Sequence, residues 1–275
     1  MKKKHLLIFV WAGLALAILG VYVFPYIYMV LTSFKTPNGV LSVPPTFFPE
    51  QFTLENYLQI QEYSYIPNTF LNSLIIAVLS SALTLVLAIP AAYAITRYNT
   101  RYGRAFLITT LIARMVPYIS VAVPLFFVFR SIKLVGTYPA VIVGHMTISL
   151  PFAIWLLSSF FEGIPVELEE AARIDGCSRI QALLLVIIPI TLGGIAVAAI
   201  FSFLASWNDF LFSLLLTSTS TKTAPLAIAE FNSQYGTMWG IMTSLATLFS
   251  LPVILVSLFL QKKVVAGATM GAVKG

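Results

Sequence analysis

The sequence predicts an all-α, polytopic membrane protein of six spans, with a polar helical connector between the fourth and fifth. Three observations predict it. Hydrophobic residues make up 59% of the 275 and charged residues only 9%, far outside soluble composition. The apolar residues gather into long runs, and a spanning helix needs roughly 20 largely apolar residues. One stretch breaks this pattern: Glu167 to Asp175 carries four acids, with Arg173 and Arg179 beside them. A polar element held between two apolar runs reads most simply as a docking surface.

Taken in order, Met1–His5 is a basic cap before a first span over about Leu6–Leu31. Its apolar run is too long for a signal-peptide core, and no small-residue cleavage pattern follows at Phe24-Pro25-Tyr26, so it reads as an uncleaved span. Residues Thr32–Thr69 form a polar loop with Pro44, Pro45 and Pro49, long enough to carry structure of its own. The second span, Phe70–Thr96, closes with Arg97, Arg101 and Arg104. The third, Ala105–Phe129, holds Pro117, Pro124 and Arg114. Proline removes a backbone donor and kinks a helix. Such breaks serve either helix packing or the lining of a cavity, and Arg114 on the same span favours the second. The fourth span is Pro139–Phe160, the fifth Ile190–Leu216 and the sixth Met238–Leu260, the last two joined by a polar loop, Thr217–Thr237.

The connector reads as helix, turn, helix. Pro165 suits a first turn, and acids favour the positive N-terminal end of the helix dipole. Gly176 supplies the stop, and Ser178 caps a second helix running through Ile188.

Lys and Arg counts orient the chain. With the N-terminus inside, the cytoplasmic set is Lys2, Lys3, Lys4, Arg97, Arg101, Arg104, Arg173, Arg179, Lys262, Lys263 and Lys274, eleven residues. The outside set is Lys35, Arg130, Lys133 and Lys222, four residues, and Arg114 lies within the membrane. Eleven against four satisfies the positive-inside rule. Both termini and the acidic connector are therefore expected in the cytoplasm.

Several function classes are disfavoured. The net charge of +6 comes from positives scattered at the ends of apolar runs, not from a basic face with interleaved aromatics, so nucleic acid is not an expected partner. A single cysteine, Cys177, excludes an intrachain disulfide framework and Cys-pair metal sites. His5 and His145 lack metal-ligand spacing; His145, in an apolar span, reads as a polar packing contact. No nucleophile–base or metal constellation suggests an enzyme. No Gly-x-x-x-x-Gly-Lys-Ser/Thr loop is present, so the chain is not expected to bind or hydrolyse ATP.

Charges inside a membrane are costly and usually face the bundle interior. Arg114 lies about 14 Å along its span, near mid-bilayer. Asp209, in Ser206-Trp207-Asn208-Asp209-Phe210, is the acid of the fifth span. An Arg114–Asp209 ion pair would relieve both charges. Trp207 and Asn208 offer an aromatic face and hydrogen bonding, which suit a sugar and equally a packed helix interface.

The connector also carries a resemblance. The permease subunits of ATP-binding-cassette importers share Glu-Ala-Ala, three residues, Gly, nine residues, then Ile-x-Leu-Pro. Here Glu170-Ala171-Ala172, Gly176 and Pro189 match, with Val186 and Ile188 as mild departures. The tail Gly271-Ala272-Val273-Lys274-Gly275 is by composition a flexible segment, but it resembles the ending of the maltose-type G permease subunits of carbohydrate importers. The segment Phe52-Thr53-Leu54-Glu55-Asn56-Tyr57 and the Trp207-Asn208-Asp209-Phe210 motif are similar to theirs too.

The resemblance implies roles. Glu170, Ala171, Ala172, Arg173, Asp175, Gly176 and Pro189 would form the ATPase-coupling element, with Glu170 pairing a basic group and the alanines permitting close approach. Gly271, Val273 and Lys274 would touch the ATPase subunits. Arg114, Trp207, Asn208 and Asp209 would serve the path or its gating. Glu230, Asn232, Gln234 and Tyr235, with Pro225, would face an external binding protein; a solvated connector is the alternative for that loop. The implied partners are a second related permease, two ATPase subunits that bind ATP and Mg, an extracytoplasmic solute-binding protein, membrane lipid and a sugar. No cofactor is expected in this chain. The implied location is a bacterial or archaeal inner membrane.

The implied division is residues 1–68 as first helix and external loop, 69–263 as permease domain and 264–275 as cytoplasmic tail. Alternatives are import of glycerol-phosphate or another polar solute, or an ion-coupled secondary transporter. The latter would need intramembrane carboxylates and an inverted repeat; Asp209 and Glu230 are meagre for that, and no repeat is visible. A purely structural scaffold leaves the polar connector unexplained.

Overall fold

The computed structural model describes residues 2–98, 101–233 and 236–272; for residues 2–9, 101, 104 and 259–272 it gives the backbone course alone. The order is α1 (Lys2–Ser33), α2 (Pro37–Val40), α3 (Glu55–Gln59) with a 3₁₀ turn Ile60–Glu62, α4 (Ile66–Arg97), α5 (Arg101–Ala113), α6 (Tyr118–Ser131) and α7 (Tyr138–Glu162). Then come α8 (Val166–Ile174), α9 (Arg179–Ala182), a π-helical turn Leu183–Ile187, α10 (Ile188–Ile190), α11 (Leu192–Trp207), α12 (Leu211–Leu216) and α13 (Ala224–Glu230). The strands β1 (Asn232–Ser233) and β2 (Gly236–Thr237) form a two-residue antiparallel ladder before α14 (Trp239–Ala272).

Among the described residues, four helices are long and apolar enough to cross a membrane: Val10–Ser33, Ile66–Arg97, Tyr138–Glu162 and Trp239–Leu258. Two bent pairs, α5 with α6 and the α9–α10 segment with α11, bring the number to six if each pair counts as one span. The third expected span is therefore not a kinked helix but two helices meeting at 91°. Pro117 explains the break. It disfavours helical backbone in the residue before it and itself takes ψ 130° ahead of α6. Pro124 stays inside α6. The fifth expected span, Ile190–Leu216, is in pieces as well: α11 ends at Trp207 and α12 begins at Leu211, and a further bend lies at its N-terminal edge. Pro189 has no N–H to give, the turn before it widens to π geometry, and the chain bends 82° before α11.

The chain divides into two compact units. The first comprises Met1–Ile66 with Ala227–Leu251, and the expected structured loop organises it. Asn56, 2% exposed, donates through Nδ2 to Ser33 O at 2.9 Å and Lys35 O at 2.8 Å. Those carbonyls lie where α1 ends and has no further turn to satisfy them. The Thr53 N–H donates to Phe34 O, and the Tyr57 and Ser33 hydroxyls meet at 2.7 Å. The Phe52–Tyr57 segment is thus a clasp on the end of α1. Asn56→Leu, which keeps the bulk and loses both donors, is expected to cost about 2–3 kcal/mol. Thermal unfolding in detergent checks this; an unshifted transition would assign the clasp to the backbone bond alone.

The second unit comprises Pro67–Leu226 with Pro252–Gly275. One apolar core gathers Ala88, Ala92 and Tyr93 of α4, Ala153, Leu157 and Phe161 of α7, and Leu183 and Ile187 of the π turn. A second joins Ile76, Ala122, Phe129, Val141, Phe212 and Leu216. At the α7–α11 crossing, a Cβ on Gly194 would lie 2.5–2.8 Å from the Phe160 ring, so only glycine admits that approach. The tail also departs from a flexible segment: its backbone continues as helix through Ala272.

Candidate functional site

The acidic connector becomes α8, a sharp turn, and α9. Pro165 stands just before the helix, and Glu167 and Glu169 fill its first turn. The end is a complete Schellman motif: Gly176 N–H donates to Arg173 O at 3.1 Å, and Cys177 N–H to Ala172 O at 3.0 Å. Gly176 has φ +93°, which a side chain would strain. Ser178 then caps α9 in a capping box with Gln181.

One face of α8 is rooted in the chain itself. Glu169 and Ala172, three residues apart, are buried, whereas Glu170, Ala171, Arg173 and Asp175 are exposed. Glu169 Oε2 lies 3.2 Å from Arg97 Nε, outside hydrogen-bond angles but as an ion pair with both side chains under 10% exposed. Tyr93 donates its hydroxyl to Glu169 Oε1 at 2.5 Å, and Arg97 Nη2 donates to Ile164 O at 3.1 Å. The Arg179 guanidinium covers the Tyr98 ring at 4.5 Å. The end of α4 is therefore clamped to α8 through a buried charge pair.

This arrangement divides the expected coupling residues. Ala172 is turned into the chain, so only Ala171 of the alanine pair stands on the free face, with Glu170, Arg173 and Asp175. Ile174, 86% exposed, and Ile180, 70% exposed, add bare apolar surface beside them. Pro189 is exposed beyond the π turn. Glu169, Arg97 and Tyr93 escaped the sequence reading. Helical spacing did carry a signal, since Glu169 shares a face with Ala172 while Glu170 shares one with Arg173 and Ile174.

A second polar cluster lies in the apolar interior. His145 of α7, 1% exposed, presents Nδ1 to Ser206 Oγ at 2.6 Å and Nε2 to Asp209 Oδ1 at 3.0 Å. Ser80 Oγ of α4 donates to Ser206 Oγ at 2.9 Å. Asp209 Oδ1 also accepts the Ser213 N–H at 3.0 Å, closing the first turn of α12. A neutral imidazole with its proton on Nε2 satisfies this chain of donors and acceptors.

The Arg114–Asp209 pair does not form. Asp209 takes His145, and Arg114, in the break between α5 and α6, lies over the Phe152 ring at 4.7 Å. Phe152 and His145 are two turns apart along α7, roughly 10 Å, which keeps the two charges separate. Trp207 is buried, its ring stacked with Phe203, and Asn208 is exposed, donating to Leu204 O at the end of α11.

In the outer loop, Glu230 ends α13 and is exposed. Burial first, and the Glu230 carboxylate second, hold the Tyr65 phenol above its ordinary range. Asn232 accepts from the Thr237 hydroxyl at 2.7 Å across the two-residue ladder. Gln234 and Tyr235 lie outside the described residues. In the tail, Gly271 lies on the helical backbone of α14, and Val273 and Lys274 lie outside the described residues.

Comparison with known proteins gives these features a context. Residues 84–269 match the family described as binding-protein-dependent transport system inner membrane component. A probable ABC transporter permease protein of Sinorhizobium fredii is 38% identical over 99% of this chain and 96% of its own length. The trehalose transport system permease protein of Mycobacterium tuberculosis is 36% identical over 96% of this chain and 97% of its own. Among solved structures, a chain of a bacterial ABC transporter that imports the acidic polysaccharide alginate superposes with a TM-score of 0.80. It covers 95% of this chain and 98% of that one; at 21% identity the likeness concerns the fold.

Proposed function

Because the chain belongs to the family of binding-protein-dependent transport system inner membrane components, we propose that it is a permease subunit of an ATP-driven sugar importer. It is a multi-pass inner-membrane protein with both termini in the cytoplasm. It pairs with a second related permease, two ATPase subunits and an extracytoplasmic solute-binding protein. ATP and Mg are bound, and ATP is hydrolysed, by the ATPase partners; this chain is the transport subunit. The sugar class rests on the likeness to the trehalose permease protein.

One observation carries the coupling role. Helix α8 is rooted on one face by the buried Glu169–Arg97 pair and bare on the other, where Glu170, Ala171, Arg173 and Ile174 project. A short helix held rigidly and left uncovered suits a socket in another protein. Its motion passes to α4 through Arg97 and Tyr93, and to α7 and α11 through the shared core. Alternating access follows from rigid-body movement of the helices that α8 drives. Asp209 is engaged by His145 and Ser213, an arrangement that suits a structural carboxylate better than a coupling-ion site.

The test is co-purification in detergent with the ATPase subunit. The double substitution Glu170→Arg with Ile174→Ser changes two exposed side chains and leaves Glu169 in place. It is expected to weaken ATPase retention by about tenfold or more, the worth of roughly 1.4 kcal/mol. Retention equal to the native chain's would remove α8 from the coupling role.

A further inference from the structure

We infer that Arg114 is an anion-recognising residue of the translocation path, so that the solute carried is an acidic saccharide bearing a carboxylate, sulfate or phosphate. The inference rests on the sugar-permease reading and adds the charge of the substrate.

Arg114 lies in the turn between α5 and α6, where the chain bends by 91°. The two helices pass as a membrane span only when taken together, so in a broken span the turn that joins them lies within the hydrocarbon layer. Irregular backbone at such depth does not face lipid; it is covered by protein or lines water. The same holds for a guanidinium. Yet Arg114, Met115, Val116 and Pro117 are all exposed. Among the described residues one ion pair forms, Arg97–Glu169, and the Asp209 carboxylate takes a hydrogen bond from His145; neither contact includes Arg114. The acid of the fifth apolar run, Asp209, is already committed to His145. Arg114 is thus a positive charge within an apolar helix pair that has no carboxylate partner among the described residues.

Its surroundings suit a sugar acid. The guanidinium lies over the Phe152 ring at 4.7 Å, and a guanidinium can make two parallel bonds to a carboxylate or sulfate. Phe152 in turn packs against Trp155 at 5.9 Å and Phe201 at 5.3 Å. Trp155 is 37% exposed and Phe201 47%. Aromatic faces beside a planar cation offer a platform for the apolar face of a pyranose and a fork for its charged group. A neutral sugar would leave the charge unanswered; an acidic one answers it.

The experiment uses the detergent-purified importer carrying its ATPase subunits, without the binding protein. Its affinity for digalacturonate is compared with that for the neutral dimethyl ester of the same disaccharide. The native complex is expected to prefer the acid by about tenfold, the scale of one charge-assisted bidentate pair. Arg114→Gln should abolish the preference for the acid over the ester, and Arg114→Lys should restore part of it. Equal affinity for acid and ester in the native complex, or no binding of either, overturns the inference. So does loss of the second permease on gel filtration of Arg114→Gln, which would make Arg114 a subunit-interface residue. Failure of the permease reading is seen separately, as a native chain that retains no ATPase.

Discussion

Arg97→Leu is expected to destabilise the protein by about 3–5 kcal/mol, because it leaves the Glu169 carboxylate buried without its cation. The Glu169 and Arg97 side chains are both under 10% exposed, so water does not readily replace either partner. The Tyr93 hydroxyl remains as a donor to Glu169, but one neutral hydrogen bond does not compensate a desolvated charge. The double substitution Arg97→Leu with Glu169→Leu removes both charges and should recover most of the loss. Stability and function should then separate. The double variant, folded and still bound to the ATPase through the exposed face of α8, should hydrolyse ATP with little transport, since the clamp between α8 and α4 is gone. Unfolding in detergent and uptake into proteoliposomes read the two effects. Full transport by a stable double variant would show that the apolar core alone transmits the motion.

Asp209→Leu should be nearly as damaging, at about 3 kcal/mol, for a different reason. The carboxylate oxygen accepts from His145 Nε2 and from the Ser213 N–H at the start of α12, and leucine leaves both buried donors unanswered. Asp209→Asn keeps an acceptor oxygen at the same place and should lose under about 1 kcal/mol if the imidazole is neutral. Thermal unfolding of the two variants in the same detergent makes the comparison. Equal losses would mean that the charge of Asp209, rather than its oxygen, holds α7 to the α11–α12 break.

The sequence reading and the structure part company at residues whose partners are distant in the chain. Long apolar runs located the four helices that are long and apolar enough to cross a membrane among the described residues, since transfer from water to lipid depends on composition within one run. Local chemistry also placed the turn at Gly176 and the cap at Ser178, because both are backbone rules acting within four residues. Pro117 announced an interruption in the same way, although not that the helices would meet at 91°. Which face of α8 is buried was only half legible: the spacing separated Glu169 from Glu170, but nothing in the chain said which one would meet Arg97, 72 positions earlier. The assignment of Asp209 to Arg114 failed on the same ground. Either residue could answer the Asp209 oxygen with an N–H, and only helix adjacency chooses between Arg114 and His145.

What the sequence by itself determined is the class of molecule: a helical membrane protein with one polar connector whose turn and caps are written locally. Its likeness to importer permeases was equally legible, because that signature is a spacing of residue types. Only the tertiary structure decided which charges are paired, which face of α8 stays bare and where Arg114 lies. The reason is physical. Hydrophobicity and backbone preference act along the chain, whereas the cost of a buried charge depends on which side chain the fold brings within about 3 Å.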